Sequence, residues 1–427
     1  MASTRTFNNM LNEYLAIDLM EAEILKRDWL LSKVKKDDGW KGGTLPVPFE
    51  GSRATSMQFG SLTAASDIHE YNYVRGQITS QPEIWTTLKF NFRDLQEHDG
   101  KVNEKSFLKI LPGQLNRMMD YFQQMTSIHL LSGPHLALVT VNGTAGGVLG
   151  VNRIDRFEIG QKITLDDNDS AQADYYVIAI DVNGSAGTGV VGGGLITVSA
   201  TRGGAAADVS AYTVAQVAKI YQPGVLVAGV ASNAMTSLVS SLLSAANGGS
   251  STLYGQSKLA YPFLQAVNID GAAVSATNLL DKLFDGYTQV RAKARGNASV
   301  ILMSYKHLGT VMKQIETQKG AFKTTATSTK ASQYGWTEIE IVSVKGALTI
   351  VGIQEMSDTE ILYLDMSAMT FFSNGMFKKA KSPDGNEYFV DRATTGYSYI
   401  VDMCLFGDLV VHSPGKCGVM YAIPSYT

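Results

Sequence analysis

The stretch "YYVIAIDVNGSAGTGVVGGGLITVSAT" (175–201) decides the fold class. At its centre, "GTGVVG" (187–192) matches the glycine pattern G-x-G-x-x-G of dinucleotide-binding turns. That motif works only where a strand ends at the first glycine and a helix begins within it. The helix N–H groups and dipole then face a pyrophosphate. The strand is legible, since Tyr175–Val182 alternates and is rich in Tyr, Val and Ile. The helix is not: Gly192, Gly193 and Gly194 lead straight into "LITVSAT" (195–201), a β-branched second strand. Asp208 lies about 20 residues beyond Gly189, near the spacing of a ribose-binding acid, but the intervening strand breaks the strand–helix–strand unit. The stretch reads as a glycine-tipped hairpin, and no nucleotide cofactor is expected.

Around this hairpin, residues 152–224 hold further short runs, "DRFEIGQKITLDD", "DYYVIAIDV" and "AQVAKIY", between Gly, Asn and Asp turns. Such spacing predicts a small barrel or sandwich inserted into a larger fold. "DDNDS" (166–170) lacks the glycine and terminal glutamate of a calcium loop and reads as a solvated turn. Upstream, "NEKSFLKILPGQLNRMMDYFQQMTSIHLLSGP" (103–134) is the strongest helix signal. Leu108, Leu111, Leu115, Met118, Met119, Phe122 and Met125 follow the helical spacing, Pro112 starts or kinks the helix, and Gly133-Pro134 ends it. The methionine-rich stripe reads as core rather than as a cofactor box.

"IWTTLKFNF" (84–92) is a strand with Ile84, Leu88, Phe90 and Phe92 on one face. Residues 44–81 are polar, extended and weakly alternating; Pro46 and Pro48 suit only an edge or a projecting ribbon. The N-terminal segment is helical by period through Phe7, Met10, Leu11, Tyr14 and Leu15, with Thr6 as N-cap, and stops at "KKDDGWKGG" (35–43). Downstream, helices are predicted over 233–247, 278–294 and 305–321, with a buried strand at 299–304 and a mobile Thr/Ser-rich loop at 323–335. From Ile339 the chain is mainly strands. "HSPG" (412–415) reads as the turn of a terminal hairpin pairing Cys417 with Val410 and Cys404 with Ile423, which leaves both thiols free.

A chain of 427 residues, 45% hydrophobic and 18% charged, can bury a large core and is expected to hold two or three domains. A net charge of −3 gives no basis for strong nonspecific nucleic-acid binding by the whole chain. The N-terminus lacks an apolar core of the signal-peptide kind, and no run is apolar enough to span a membrane. Two cysteines make no disulfide framework, as expected of synthesis in a reducing cytoplasm.

Candidate chemistry is thin. The histidines at 69, 98, 129, 135, 307 and 412 form no metal-ligand pair. Ser304 and His307 stand close at a strand-to-helix transition, but "LMSYK" is not the G-x-S-x-G of a nucleophile elbow, and His307 is expected on the surface of the first helical turn. Arg291, Lys293 and Arg295 read as helix-end cations. No active site, metal or cofactor is expected.

Taken in order, the elements resemble the major capsid proteins of tailed bacteriophages, the Hong Kong ninety-seven-type capsid fold shared with the herpesvirus capsid floor. The local likeness is carried by "ASVILMSYKHLGTVMKQIETQKG" (298–320), "GALTIVGIQEM" (346–356), "SNGMF" (373–377), "SPDGNEYFVDR" (382–392) and "TTGYSYIVD" (394–402). The resemblance implies an α+β capsid fold. An N-terminal helical arm (1–43) and an extended loop (44–81) precede a peripheral domain (82–150 and 354–427) with a long spine helix. An inserted β-rich domain (151–224) and an axial α/β domain (225–353) complete it. It further implies a structural, non-enzymatic protein that self-assembles, in hexamers and pentamers, into the icosahedral shell enclosing phage DNA.

Expected partners are other copies of the chain, a portal protein, scaffolding or decoration proteins, and double-stranded DNA held weakly and without sequence preference; no membrane is involved. The expected location is the virion, after synthesis in the host bacterial cytoplasm. The extended loop would supply the interface through Phe49, Arg53, Met57, Phe59, Tyr71, Tyr73 and Arg75. A β-rich tail or adhesin protein, and an α/β hydrolase, are the alternative readings.

Some capsid proteins of this family weld neighbouring subunits through a lysine on that loop, which attacks an asparagine side chain. Residues 42–88 contain no lysine; Lys41 and Lys89 flank the loop, and its cations are Arg53 and Arg75, which stay protonated. Assembled particles, boiled and reduced, are therefore expected to run on denaturing electrophoresis as a single band at the mass of one chain. A ladder of multiples would contradict a non-covalent shell.

Overall fold

The computed structural model describes residues 28–40, 43–50, 73–79, 82–91, 104–167, 172–185, 187, 193–215, 218–226, 234–293, 297–317, 337–343, 346–375, 377–379, 389–393 and 396–424. The helical stripe expected at 6–15, the loop residues 51–72 and the Thr/Ser-rich run 323–335 lie outside them.

The described chain opens with a short helix, α1 (Trp29–Lys33), capped by Asp28, whose carboxylate accepts from Leu31 N at 2.8 Å. Strand β1 (Lys35–Asp37) leads to a two-stranded ribbon, β2 (Leu45–Glu50) and β3 (Tyr73–Ile78), and the chain returns along β4 (Glu83–Asn91). The spine helix α2 (Glu104–Leu131) follows. It starts well before Pro112 and runs past it, so the proline does not begin the helix. A proline removes one ladder hydrogen bond, and the turns on either side carry the helix through.

Strands β5 (His135–Val141), β6 (Val148–Val151), β7 (Lys162–Asp166), β8 (Gln172–Asp181), β9 (Gly194–Ser199) and β10 (Lys219–Tyr221) close into a barrel in the order β10-β5-β6-β9-β8-β7. Leu136, Val139, Leu149, Ile163, Leu165, Val177, Ile196 and Val198 belong to its buried core. Gly150 sits where β5 and β6 slip register: a Cβ there would lie 2.5 Å from that of Val141. The barrel therefore begins with β5, upstream of the boundary expected at 151, because the first two strands are needed to close it.

Helix α3 (Leu238–Leu242), the tiny hairpin β11 (Thr252–Leu253) and β12 (Gln256–Ser257), and β13 (Val267–Asp270) come next. Helix α4 (Leu279–Lys293), β14 (Val300–Ser304), α5 (Tyr305–Thr317), β15 (Thr337–Ser343), β16 (Gly346–Ile353) and β17 (Ile361–Leu364) follow. The chain ends with β18 (Met369–Phe372), β19 (Phe377–Lys379), β20 (Phe389–Ala393), β21 (Gly396–Phe406), β22 (Asp408–Val411) and β23 (Gly418–Tyr421). A six-stranded mixed sheet runs β13-β23-β17-β14-β16-β15. Strand β21 pairs with β4 along one edge and with β19 and β20 along the other, while β1, β18 and β22 form a small sheet.

Strand β14 is buried on both faces, which is why its first four residues, "VILM", are continuously apolar. Ile301 and Met303 pack under α4 and α5, with Leu283, Val290, Leu308 and Val311. Val300 and Leu302 face the opposite core, which α1 and α2 fill with Trp29, Leu31, Met118, Phe122 and Leu130. The spine helix serves a second core as well, for its Met125 and Ile128 enter that of the barrel.

Two arginines of the short 3-10 turn at Ile154–Arg156 and its cap fasten the barrel to the connector after β16. Arg153 donates to Gln354 O at 2.5 Å and Met356 O at 3.1 Å, and is ion-paired with Asp155 at 2.8 Å. Arg156, buried, donates to Leu136 O at 2.7 Å and Glu355 O at 2.8 Å.

Two expectations fail for tertiary reasons. The helix predicted over 233–247 shrinks to α3 and a 3-10 turn. Its serines bond locally, Ser237 Oγ accepting from Ser240 N at 3.1 Å, and Lys258 Nζ takes the carbonyls of Ser240 and Leu243 that a longer helix would use. The terminal hairpin is also absent. Residues 412–416 carry the chain from one sheet into another, so β22 pairs with β18 and β23 with β13 and β17. Both strands are buried almost throughout, which a free hairpin could not achieve.

A fragment of residues 134–224 holds all six barrel strands, whereas one of 151–224 lacks β5 and most of β6. The longer fragment is expected to give a dispersed amide NMR spectrum and the shorter one a collapsed spectrum. Equal dispersion in both would contradict the role assigned to β5 and β6.

Candidate assembly interface

The ribbon is built by strict alternation. Val47, Phe49 and Ile78 are buried on one face, against Trp40, Leu253, Leu264 and Val410, while Pro46, Pro48, Arg75 and Gln77 are exposed on the other. The register runs from Leu45↔Ile78 to Glu50↔Tyr73, and β2 and β3 make strand ladders only with each other among the described residues. Both outer edges therefore lack a ladder, and the prolines on β2 cost none.

This places the expected interface residues unequally. Phe49 is not available to a neighbour: it is fully buried in its own chain and stacks on Tyr254, with ring centroids 5.9 Å apart. The period-two run Leu45, Val47, Phe49 carried that signal. Arg75 is exposed, and its carbonyl accepts from Gln256 Nε2 at 2.9 Å. Tyr73 closes the outer end of the described ladder opposite Glu50. Arg53, Met57, Phe59 and Tyr71 lie outside the described residues.

The glycine stretch 187–192 lies between β8 and β9, which pair antiparallel through Ile180↔Ile196 and Asp181↔Leu195, as a hairpin requires. His307 is buried, not exposed; α5 packs its first turn onto the sheet, where the ring Nε2 lies 2.8 Å from Asp358 O. Burial lowers its pKa, partly countered by Asp358. Ser304 Oγ accepts from His307 N as a helix cap at 3.5 Å. Asp166 and Asp167, expected on a solvated turn, are buried beside the barrel's closing strands; residues 168–170 lie outside the described residues. Among the described residues no group of three His, Cys, Asp or Glu side chains could hold a metal ion.

Arg291 and Lys293 occupy the last turn of α4, and Arg291 Nε donates to Tyr287 Oη at 2.8 Å; Arg295 is outside the described residues. Cys404 and Cys417 are free and buried, and burial pushes both thiols up to about 12. No described helix is long and apolar enough to cross a membrane.

A cleft of about 580 Å³ opens beside the barrel, lined by His135, Arg153, Arg156, Lys219, Ser237 and Asp358 among others. Sequence reasoning missed the buried ionisable groups of the molecule, because burial is not written in local pattern. His129 is buried, and among the described residues neither ring nitrogen is hydrogen-bonded. Burial, with Arg156 nearby, lowers its pKa to about 4; burial, Lys219, Arg156 and His129 do the same to His135. Asp408 is buried and accepts from Thr236 N, Thr236 Oγ1 and Leu409 N at 2.7, 2.6 and 2.9 Å. Its burial outweighs these donors and raises its pKa to about 6.

No family model matches the sequence, and no curated protein matches it. Among solved structures, the chain is similar to the cyanophage A-1(L) capsid asymmetric unit at 11% identity, covering 92% of this chain and 90% of that one, with a TM-score of 0.48. It is similar to the capsid of the empty GTA particle at 11% identity, over 92% and 96% of the two chains, with a TM-score of 0.45. The holo-SrpI encapsulin complex of Synechococcus elongatus is similar at 7% identity, over 93% and 88%, with a TM-score of 0.40.

The two histidines have folded pKa values below their ordinary 6.5, so the unfolded chain takes up protons first as pH falls. Their contribution to stability is full above pH 6.5 and is lost between 6.5 and 4. Asp408, raised to about 6, works in the opposite sense and loses stability as pH rises through that value. A shift from 6.5 to about 4 is worth about 2 kcal/mol at pH 5 for each histidine, and the raised carboxyls of Asp28 and Glu355 oppose it as Asp408 does. His129→Leu removes no hydrogen bond. It is expected to flatten the fall in stability between pH 7 and 5 measured by urea unfolding; an unchanged slope would contradict a neutral buried His129.

Proposed function

We propose that this chain is the major capsid protein of a tailed bacteriophage, a structural subunit whose copies close into an icosahedral shell around double-stranded DNA. The observation that carries the reading is the ribbon. Its base is ordered by the body, the β11–β12 hairpin bonding the outer edge of β3 at Arg75 and Gln77, while β2 carries an outer edge without a ladder partner among the described residues. A two-stranded ribbon with a free edge is marginal by itself and offers its unpaired groups to another chain. On this reading the ribbon and residues 51–72 reach a neighbouring copy, with Arg53, Met57, Phe59, Tyr71, Tyr73 and Arg75 as contacts. Phe49 is assigned to the base instead. Affinity then comes from summing modest contacts over many subunits rather than from one deep pocket.

The division into arm, loop, peripheral, axial and inserted units belongs to the same proposal, with the inserted unit taken from β5 onwards. So do the portal, scaffolding or decoration partners, the weak DNA contact, synthesis in the host cytoplasm and a non-enzymatic role.

Glu50 and Tyr73 are opposite one another in the ladder, so residues 51–72 can be replaced by an Asn-Gly turn without disturbing the base. Purified, concentrated wild-type protein is expected to form closed shells in negative stain. The shortened protein is expected to melt within a few degrees of wild type yet remain unassembled. Normal shells from the shortened protein would overturn the role of the ribbon, and trimers or open rings from the wild type would overturn the shell.

A further inference from the structure

The β11–β12 hairpin turns through two residues, Tyr254 and Gly255, between the pairs Leu253↔Gln256 and Thr252↔Ser257. Both have left-handed backbone, with φ of 49° and 81°, the combination that a type I′ turn requires. Glycine takes such a conformation freely; tyrosine is strained there and persists only where its surroundings hold it.

The surroundings are the ribbon on one side and β22 on the other. The Tyr254 ring stacks on Phe49 of β2, nearly parallel at 14°. Its carbonyl accepts from Gln77 N of β3 at 2.9 Å. Its hydroxyl donates to Leu409 O at 3.1 Å and accepts from Val411 N at 3.0 Å, both on β22. The next polar residue of the hairpin, Gln256, donates to Arg75 O. Gly76 completes the fit: a Cβ there would stand 2.7 Å from the Phe49 ring and 3.0 Å from the Tyr254 Cβ.

One residue thus grips both ribbon strands, β2 through its ring and β3 through its backbone carbonyl, and its hydroxyl ties them to the body. We propose that Tyr254 is a latch that fixes the angle at which the ribbon leaves the body, and so positions residues 51–72 for a neighbouring copy. The second half rests on the assembly function proposed above. A ribbon pinned near its base acts as a lever, so a small rotation at Gly76 displaces its far end much more than the pinned end.

Two substitutions separate the latch from the turn. Tyr254→Gly keeps the left-handed turn and removes ring and hydroxyl, while Tyr254→Phe removes only the hydroxyl. The first readout uses unassembled protein under native conditions: tryptic cleavage after Arg75, which directly precedes Gly76 and Gln77, the β3 residues that Tyr254 packs against and bonds. Cleavage is expected to be about tenfold faster in Tyr254→Gly and intermediate in Tyr254→Phe. The second readout is particle shape in negative stain, with irregular or open particles expected from Tyr254→Gly. Equal cleavage rates would overturn the latch. Faster cleavage with normal shells would overturn its positioning role. A wild type that forms no shells while the cleavage rates still differ would sink the assembly reading and leave the latch standing. Should Tyr254→Gly fail to fold, Tyr254→Phe carries both readouts with the same decisions.

Discussion

Strand β22 and its first residue, Asp408, are where the separate parts of this chain cross. The buried carboxylate takes three donors, two of them from Thr236 just before α3, and this fixes the segment leading from the barrel to the six-stranded sheet. The strand itself pairs with β18, which pairs in parallel with β1 and so holds the N-terminal segment. Its backbone at Leu409 and Val411 holds the Tyr254 hydroxyl, and through it the ribbon. A buried acceptor with several short donors is strong in a low-dielectric interior and costly to leave half satisfied. Three distant stretches of sequence therefore depend on four residues near the C-terminus.

The spine helix has a comparable place. Its two stripes, at Met118, Phe122 and Leu130 and at Met125 and Ile128, enter different cores. A helix shared in this way couples the barrel to the body through packing. The arginine contacts to Gln354, Glu355 and Met356 add direction, because carbonyl acceptors define an orientation that apolar contact does not. Asp28 strengthens the same junction by capping α1 and accepting from Ser127 Oγ on the spine helix. Burial raises its pKa, so the junction combines apolar packing with a carboxyl held out of water.

Much of the candidate interface was legible as a ribbon, because two prolines and weak alternation exclude a central strand. What covers its inward face was not. Phe49 was expected at the interface; its place in the alternating run with Leu45 and Val47 marks it as inward, but the ring that covers it, Tyr254, lies some two hundred residues on. His307 was misplaced for a like reason: the side of a helix that meets the sheet depends on the crossing of elements, which local spacing does not contain.

By itself the sequence determined what local physics controls. The period of 3.6 marked the spine helix, α4 and α5. The period of two marked the barrel strands, and the missing helix after "GTGVVG" excluded a nucleotide turn. Only the tertiary structure decided matters set by partners far along the chain. The barrel takes in β5 and β6 because closure needs six strands, and α3 is short because Lys258 claims its final carbonyls. Residues 412–416 join two sheets instead of turning a hairpin, and in those sheets β22 and β23 are buried almost throughout between other strands. Pairing is settled by the total surface removed from water, and that sum exists only once the whole chain is folded.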